Sequence, residues 1–235
     1  MTAALVEADV AEQRETATAA APAAPRKRQA RGERRIAEIL TAAGQVFAES
    51  GYSATTTNAI AARSGISIGT LYQYFSNKDA IADALAERYA GELDELQGVL
   101  AVPDPAALPL PELITRVLDP MLDYHLANPG CTMLFMGPDI PERLADIHAP
   151  LHAAMQARVE TFIGLLSPGL PADEARLGAE ITVSAFKGLL APLLAADASR
   201  RPAVQAEIAQ LFIGYFTTLI ERGHEGAEGR CPTGS

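Results

Sequence analysis

The chain has 235 residues, of which 49% are hydrophobic, and it carries a formal net charge of −10. A chain of this length can bury a sizeable core in one or two domains. Two cysteines exclude a disulfide framework, and the first residues lack the basic start and apolar core of a signal peptide. No apolar run approaches the length needed to span a bilayer, so we expect a cytoplasmic protein without a membrane partner.

The composition favours an all-α fold, because Ala, Leu and Glu are abundant, Trp is absent and apolar alternation is scarce. Residues 1–30 have no periodic apolar face and are rich in Ala, Glu, Thr and Pro. We expect them to form a disordered arm that ends in the basic run PRKRQAR. Apolar residues recur at helical spacing from Ile36 to Phe47, which predicts the first helix.

Residues 55–78, TTTNAIAARSGISIGTLYQYFSNK, predict two short helices joined by a tight turn. Thr56 or Thr57 can cap the first helix, because a threonine hydroxyl accepts from a free amide of the first turn. Gly65 ends that helix, since glycine takes the left-handed conformation without steric cost. Ser67 can cap the second helix. This is the pattern of a helix-turn-helix motif.

The second helix keeps Leu71 and Phe75 inward and leaves polar and aromatic side chains outside. In a helix-turn-helix, such a face enters the major groove of DNA, where it contacts bases and phosphates. Tyr72, Tyr74 and Lys78 suit phosphate best, although a tyrosine that packs on the next helix is an open alternative. We expect DNA contacts from the outer side chains of the motif: Thr57, Ser67, Ile68, Gly69, Thr70, Tyr72, Gln73, Tyr74 and Lys78.

Charge is distributed unevenly along the chain. Residues 26–78 carry eight Lys and Arg against three acidic residues, a charge of +5, which leaves −15 for the rest. An acidic body repels phosphate and favours docking through the basic segment. Two interpretations of the basic end of the arm stay open: an extension along phosphate or into the minor groove, or a solvated tail with nonspecific attraction only.

The run GISIGTLYQYFSNKD resembles the recognition-helix signature of the tetracycline-repressor (TetR) family of bacterial regulators. The preceding AAGQVFAESGYSATTTNAIA is similar to the first helix, Gly-Tyr turn and second helix of that family. The resemblance covers residues 33–85. It implies a three-helix DNA-binding domain, here 31–78, followed by a helical ligand-binding and dimerisation domain, here 79–222. Many members have Glu and Leu where this chain has Asp79-Ala80-Ile81. We expect this departure to leave the implied fold and function unchanged.

Beyond the motif, apolar periodicity predicts a series of body helices, separated by Pro- and Gly-rich breaks. We expect the final stretch, 223–235, to be a disordered tail. The predicted helices cover about 79–100, 112–126, 133–136, 141–147, 151–166, 173–196 and 202–221.

The middle of this body combines flexible thioethers, rings and loop breakers, a composition typical of an adaptable apolar pocket. The TetR resemblance also implies a ligand there, one that changes the separation of two DNA-binding heads. Ordinary core packing is the competing interpretation. The candidate ligand-binding residues are Met121, Tyr124, His125, Met133, Phe135, Met155, Phe162 and Phe186.

Residues 173–222 form two helices with a small-residue face and a broad apolar face. The resemblance implies that they pair with the same helices of a second chain in a four-helix bundle. A dimer would also place two heads on half-sites one helical turn of DNA apart.

An enzyme or metal-binding protein is the main alternative class. His148 and His152 lie at a metal-binding spacing, with Asp146 or Glu142 as a further ligand. No phosphate loop, dinucleotide fingerprint or HExxH motif accompanies them. We therefore predict no catalytic activity, no metal and no cofactor. The favoured function is a homodimeric, ligand-responsive repressor that binds a palindromic operator. An activator of the same fold and an interaction protein whose head has lost DNA binding are the alternatives, and Thr57, Thr70, Tyr72 and Lys78 argue against the latter.

Overall fold

The computed structural model describes residues 23–99, 107–137 and 140–228, and these residues form nine α-helices and no strand. The all-α prediction is confirmed. The helices are α1 (Ala23–Ala54), α2 (Thr57–Arg63), α3 (Ile68–Tyr72), α4 (Lys78–Val99), α5 (Leu110–Ala127), α6 (Pro129–Met136), α7 (Glu142–Leu166), α8 (Ala172–Ala195) and α9 (Arg201–Glu228).

Helix α1 begins earlier than the sequence pattern predicts. Residues 23–30, which we assigned to the disordered arm, are helical. Ala, Arg, Lys and Gln are strong helix formers, so this segment extends a helix that is already anchored by its apolar face. The rest of the arm, residues 1–22, lies outside the described residues. Near its other end the helix is interrupted at Gly51, whose φ of 75° is a left-handed value that favours glycine.

The helix-turn-helix forms as its caps predict. Thr56 caps α2 by accepting from the Ala59 amide at 3.2 Å, and Ser67 caps α3 by accepting from the Thr70 amide at 3.0 Å. Gly65 has a φ of 66° in the turn between them. The side chains of Leu71 and Phe75 are buried. The helices α1, α2 and α3 therefore form a small head with its own apolar centre.

Two of the body helices differ from the sequence expectation. Helix α7 runs unbroken through Pro150, where we expected two separate helices, and α9 extends to Glu228 instead of ending near Glu221. A proline inside a helix removes one backbone hydrogen bond, which packing on both sides can offset. Residues 223–228 are therefore helical, and the remainder of the predicted tail, 229–235, is outside the described residues.

The helices α8 and α9 are long and apolar enough to cross a membrane by length and hydropathy alone, so the expectation that no segment reaches this threshold was wrong. Such helices also occur in soluble cores. Here each packs one face on the body and leaves large apolar side chains exposed on the other: Leu177 is 56%, Ile181 48% and Leu211 59% exposed. This pair of helices presents an apolar face that none of the other described helices covers.

The head meets the body where α1 passes α6. A Cβ atom on Gly130 of α6 would lie 2.5 Å from the carbonyl oxygen and 2.8 Å from the Cα of Gly44 in α1. A Cβ on Gly44 would in turn meet the hydroxyl of Tyr89 in α4. Helices α1 and α6 approach closely because Gly130 has no side chain, and the absence of a side chain on Gly44 leaves room for Tyr89 of α4.

We predict that Gly130→Ala lowers the free energy of unfolding by about 1–3 kcal/mol, because the added methyl group overlaps the Gly44 backbone. Chemical denaturation of the purified protein measures the change. Gly91→Ala is the matched control, because a Cβ atom there has no neighbour within 4 Å. Since alanine is a better helix former than glycine, this variant should be as stable as the wild type or more stable. Equal stabilities of Gly130→Ala and the wild type would show that α1 and α6 separate without cost.

Candidate nucleic-acid interface and effector cavity

The outer face of α3 is held in place by polar contacts within the motif. The Thr57 hydroxyl of α2 lies 3.2 Å from the Tyr72 hydroxyl of α3, so these two helices share a direct side-chain contact. The Ser67 and Thr70 hydroxyls lie 2.8 Å apart at the start of α3. These contacts orient the side chains that a groove would meet.

The predicted DNA-binding residues lie on α2, on α3 with its N-cap, and between α3 and the start of α4, with different degrees of exposure. Tyr72 is 53% and Tyr74 37% exposed. Ile68 is half-buried and packs against the core, so only part of its side chain is left for a thymine methyl. The exposed members are Ser67, Gly69, Tyr72, Gln73 and Tyr74, and the half-buried members are Thr57, Ile68, Thr70 and Lys78.

The Lys78 ammonium is engaged within the protein. Its Nζ donates to the carbonyl oxygens of Tyr52, at 2.9 Å, and Ser53, at 3.2 Å, and lies 4.5 Å from the centre of the Tyr52 ring. Sequence reasoning assigned this charge to phosphate. In the structure Lys78 also holds the last turn of α1, which follows the interruption at Gly51.

Other basic side chains of the head are paired with acids. Arg63 forms a two-pronged ion pair with Glu49, at 2.9 and 2.6 Å, and these hydrogen bonds hold the pKa of Glu49 below its ordinary value. Arg34 and Arg35 share Glu38 at 3.1 and 2.8 Å. These ion pairs involve two of the three acidic residues that the net charge of +5 already counts, so the net charge itself is unchanged.

A cluster of four side chains connects the head to the body. Arg143 at the start of α7 donates to Asp83, at 2.8 Å, and to the Tyr52 hydroxyl, at 2.8 Å, and lies 3.4 Å from Asp79. The Tyr52 hydroxyl donates to Asp79. The Asp79 position, which we expected to matter little, is thus part of this cluster. Sequence reasoning missed Arg143, although acids one helical turn apart on α4 were a signal that a cation faces them.

A cavity of about 470 Å³ lies in the body among α5, α7, α8 and α9, with the end of α4 at one side. Its walls are mostly apolar, and its size is within the usual range for small-molecule sites. Four of the predicted ligand-binding residues line it: Met121, Met155, Phe162 and Phe186. Phe212 and Phe216 of α9 also line it, and we missed them because we assigned the apolar face of α9 to dimer contacts.

The other four candidates do not line the cavity. The Tyr124 hydroxyl donates to Glu92 at 2.8 Å, and His125 is buried with its Nδ1 3.1 Å from the Thr132 hydroxyl. Phe135 stacks on the His148 ring with 4.7 Å between centres, and Met133 lies on α6, outside the cavity walls. Tyr124 and His125 share α5 with cavity residues but lie on a different face, and Met133 and Phe135 belong to α6, which contributes no residue to the cavity lining.

The polar end of the cavity is formed by two lining residues on different helices. Arg158 of α7 donates to the Gln97 side-chain oxygen at 2.6 Å and to Asp94 at 2.8 Å, and both of these partners belong to α4. This is a second contact between α4 and α7, about four helical turns from the Arg143 cluster.

The histidine pair receives no support as a metal site. The His148 and His152 rings lie 5.8 Å apart, and burial together with Lys187 lowers the pKa of both, that of His148 to about 4. A nearby lysine disfavours a bound cation. Within the described ranges, no three His, Cys, Asp or Glu side chains are grouped to hold a metal ion.

Both halves of the chain match known sequence families. Residues 39–85 match the family described as bacterial regulatory proteins, tetR family, and residues 109–216 match the tetracyclin repressor-like C-terminal domain. A Bacillus subtilis fatty acid metabolism regulator is 23% identical over 149 residues, which are 63% of this chain and 74% of that protein. An HTH-type transcriptional repressor of Mycobacterium tuberculosis is 36% identical over 76 residues, 32% of this chain but only 40% of the relative.

Solved structures share the fold. A TetR-like regulator from Rhodococcus sp. RHA1 superposes with a TM-score of 0.62 at 20% identity and covers 82% of this chain and 96% of its own. The fatty acid degradation regulator of Bacillus halodurans has a TM-score of 0.57 at 18% identity, over 76% of this chain and 94% of its own. At identities of 18% and 20%, these structural similarities establish the shared fold alone.

We predict that stability falls as the pH drops from about 6.5 to 4, because burial lowers the pKa of His125 to about 4 in the folded state. In this window the unfolded chain binds a proton that the folded site excludes, so acid favours unfolding. The His125 share of the loss is on the order of 3 kcal/mol.

Urea unfolding of the wild type, His125→Gln and the control His224→Gln at several pH values measures this effect. His224 is exposed. His125→Gln should lose only the His125 share of the pH dependence, because His148 and His152 also have lowered pKa values and maintain the rest, and His224→Gln should keep the full slope. An unchanged slope in His125→Gln would refute the assignment.

Proposed function

We propose that this chain, which belongs to the TetR family of bacterial transcriptional regulators, is a homodimeric repressor that leaves its operator when a small apolar or amphipathic molecule binds in the body. As a TetR-family regulator it is a DNA-binding protein and not an enzyme. Soluble regulators of this family are generally cytoplasmic, and we assign this chain to the same compartment.

The observation that carries the proposal is the orientation of α3. The helix is capped by Ser67 and joined to α2 by the Thr57–Tyr72 contact, so it presents a fixed polar and aromatic surface. We assign Thr70 and Gln73 to base edges, because hydroxyl and amide groups hydrogen-bond to bases. Tyr72 and the neighbouring residues Ser67, Gly69, Tyr74 and Lys78 then contact the phosphate backbone, with part of the Ile68 side chain near a thymine methyl.

Dimerisation through 173–222 is supported by the exposed apolar face of α8 and α9. Large exposed apolar patches on a soluble protein mark interaction sites. A two-fold dimer through this face would present two copies of α3 to half-sites about 34 Å apart.

An apolar effector is supported by the cavity and by the names of two relatives. The walls combine Met121, Met155 and four phenylalanines, which form a flexible apolar lining. The relatives from Bacillus subtilis and Bacillus halodurans are named as regulators of fatty acid metabolism and degradation. We propose that a molecule with an acyl-like chain occupies this cavity.

Helices α4 and α7 provide a route from the cavity to the head. At the cavity, Gln97 of α4 accepts from Arg158 of α7. Near the head, Asp83 of α4 accepts from Arg143 of α7, which also donates to Tyr52 of α1. A ligand that changes how α4 packs on α7 would therefore shift the head. The size of this response is limited by the difference in ligand affinity between the two states.

Binding of the purified protein to a fluorescent fragment of the DNA that flanks its own gene tests the regulator role, with random DNA as competitor. We predict that Tyr72→Ala weakens binding to all sequences by about 1–3 kcal/mol, whereas Gln73→Ala alters the base preference. Tyr72→Phe keeps the ring and removes only the hydroxyl that meets Thr57, so it should weaken binding as Tyr72→Ala does if that hydroxyl makes the phosphate contact. Wild-type affinity and preference in both alanine variants would refute the proposed interface.

We predict that the double substitution Leu177→Glu and Leu211→Glu converts the protein to a monomer, because two exposed apolar side chains of α8 and α9 become charges in the interface. Sedimentation velocity at low micromolar concentration gives the mass. Ile36→Glu is the control, since it introduces the same charge at an exposed apolar position of the head. A dimer that survives the double substitution would place the interface elsewhere.

A further inference from the structure

The cavity offers few polar groups to a ligand, and two of them are already used. Among the lining residues that the structure describes, Thr161 donates its hydroxyl to the Ala157 carbonyl at 2.9 Å, and Thr182 donates to the Gly178 carbonyl at 2.7 Å. Both hydroxyls are thus satisfied within their own helices. The remaining polar lining groups are the side chains of Gln97 and Arg158.

The Gln97 amide has a fixed orientation and an unused donor. The Gln97 side-chain oxygen accepts from the Arg158 guanidinium at 2.6 Å. If the amide were flipped, its NH₂ group would face the guanidinium N–H groups, and two donors cannot hydrogen-bond to each other. The amide nitrogen, Nε2, is therefore directed away from Arg158. It is buried and has no hydrogen-bond partner in the described part of the chain. An unpaired buried donor is costly, and an acceptor on a ligand would remove this cost.

The charge at this end of the cavity is already balanced. Arg158 pairs with Asp94 at 2.8 Å, and Asp94 is 60% exposed at its side chain. The site thus combines one neutral unpaired N–H group with a guanidinium whose charge is compensated. A ligand oxygen can accept from both the Gln97 amide and the Arg158 guanidinium. A ligand ammonium group can accept from neither and would be repelled by the guanidinium charge.

We propose that Gln97 and Arg158 recognise an oxygen acceptor, so that the effector is an amphipathic molecule whose apolar chain ends in a carbonyl or carboxylate group. This inference rests on the proposed effector cavity and specifies its ligand class. The apolar chain lies against Met155, Phe162 and Phe216. Gln97 Nε2 is covered in this structure, so the acceptor oxygen bonds to it after a movement of α4 against α7 that uncovers the N–H group. Because Gln97 is on α4 and Arg158 is on α7, the acceptor binds at a junction of the two helices that also meet beside the head.

Displacement of Nile red from the full-length protein tests this assignment with four ligands of equal chain length: dodecanoic acid, methyl dodecanoate, dodecylammonium and dodecane. We expect the acid and the ester to displace the dye at concentrations at least about tenfold lower than the other two, the effect of one good hydrogen bond. A preference for the acid over the ester would identify a carboxylate ligand, and equal affinities would identify a carbonyl as sufficient.

Two substitutions at Gln97 distinguish recognition from general packing. Gln97→Leu keeps the apolar volume and removes the donor, so it should reduce the acid-to-dodecane preference to near unity while Nile red still binds. Gln97→Glu keeps an acceptor for Arg158 but replaces the donor with negative charge, so it should reject the acid more strongly than the ester.

Different results would contradict the two proposals separately. Nile red binding with the wild-type preference order in Gln97→Leu would overturn the role of Gln97 and leave the effector cavity intact. A wild-type protein that binds neither Nile red nor any of the four ligands would overturn the cavity itself, and the inference with it. DNA binding is measured independently of both results.

Discussion

The contact of Arg143 with Tyr52, Asp79 and Asp83 is the constraint on which the relation between head and body depends. The Tyr52 ring stacks on Phe47 of the head core and lies near two cations, with Lys78 at 4.5 Å and Arg143 at 5.5 Å. Partly exposed ion pairs of this kind contribute little stability individually. They can therefore be exchanged at small cost, as the proposed response of the head to an effector requires.

The second constraint is steric. Where α1 crosses α6, Gly44 and Gly130 bring two backbones into direct contact, and Tyr89 fills the space beside Gly44. This contact restricts sliding between α1 and α6, whereas the Arg143 cluster is made of flexible side chains. Because the α1–α6 contact is tight and the Arg143 cluster can adjust, the head can rotate about the α1–α6 contact more easily than it can separate from the body.

Helices α8 and α9 participate in two of the proposed activities. Phe186, Phe212 and Phe216 point into the cavity, and Leu177 and Leu211 of the same helices are exposed on the surface that we assign to the dimer. Occupation of the cavity and packing between two chains therefore involve opposite faces of the same two helices. A ligand that moves either helix would also act on the separation of two heads.

The sequence by itself determined the helical class, the caps at Thr56 and Ser67, the turn at Gly65 and the buried Leu71 and Phe75. These features depend on local hydrogen bonds, on backbone conformation and on the period of the helix, all of which act between residues close in the chain. For the same reason the sequence predicted that Tyr72, Gln73 and Tyr74 lie on the outside of the motif, where they are exposed.

Only the tertiary structure decided which apolar residues line the cavity and which polar side chains meet across helices. Met121 and His125 are one helical turn apart on α5, yet one faces the cavity and the other is buried against Thr132. The partners of Lys78, Arg143 and Arg158 also come from distant segments. Periodicity identifies the apolar face of a helix, but the rotation of each helix against its neighbours is set by packing among all of them, because that packing depends on contacts between residues far apart in the chain.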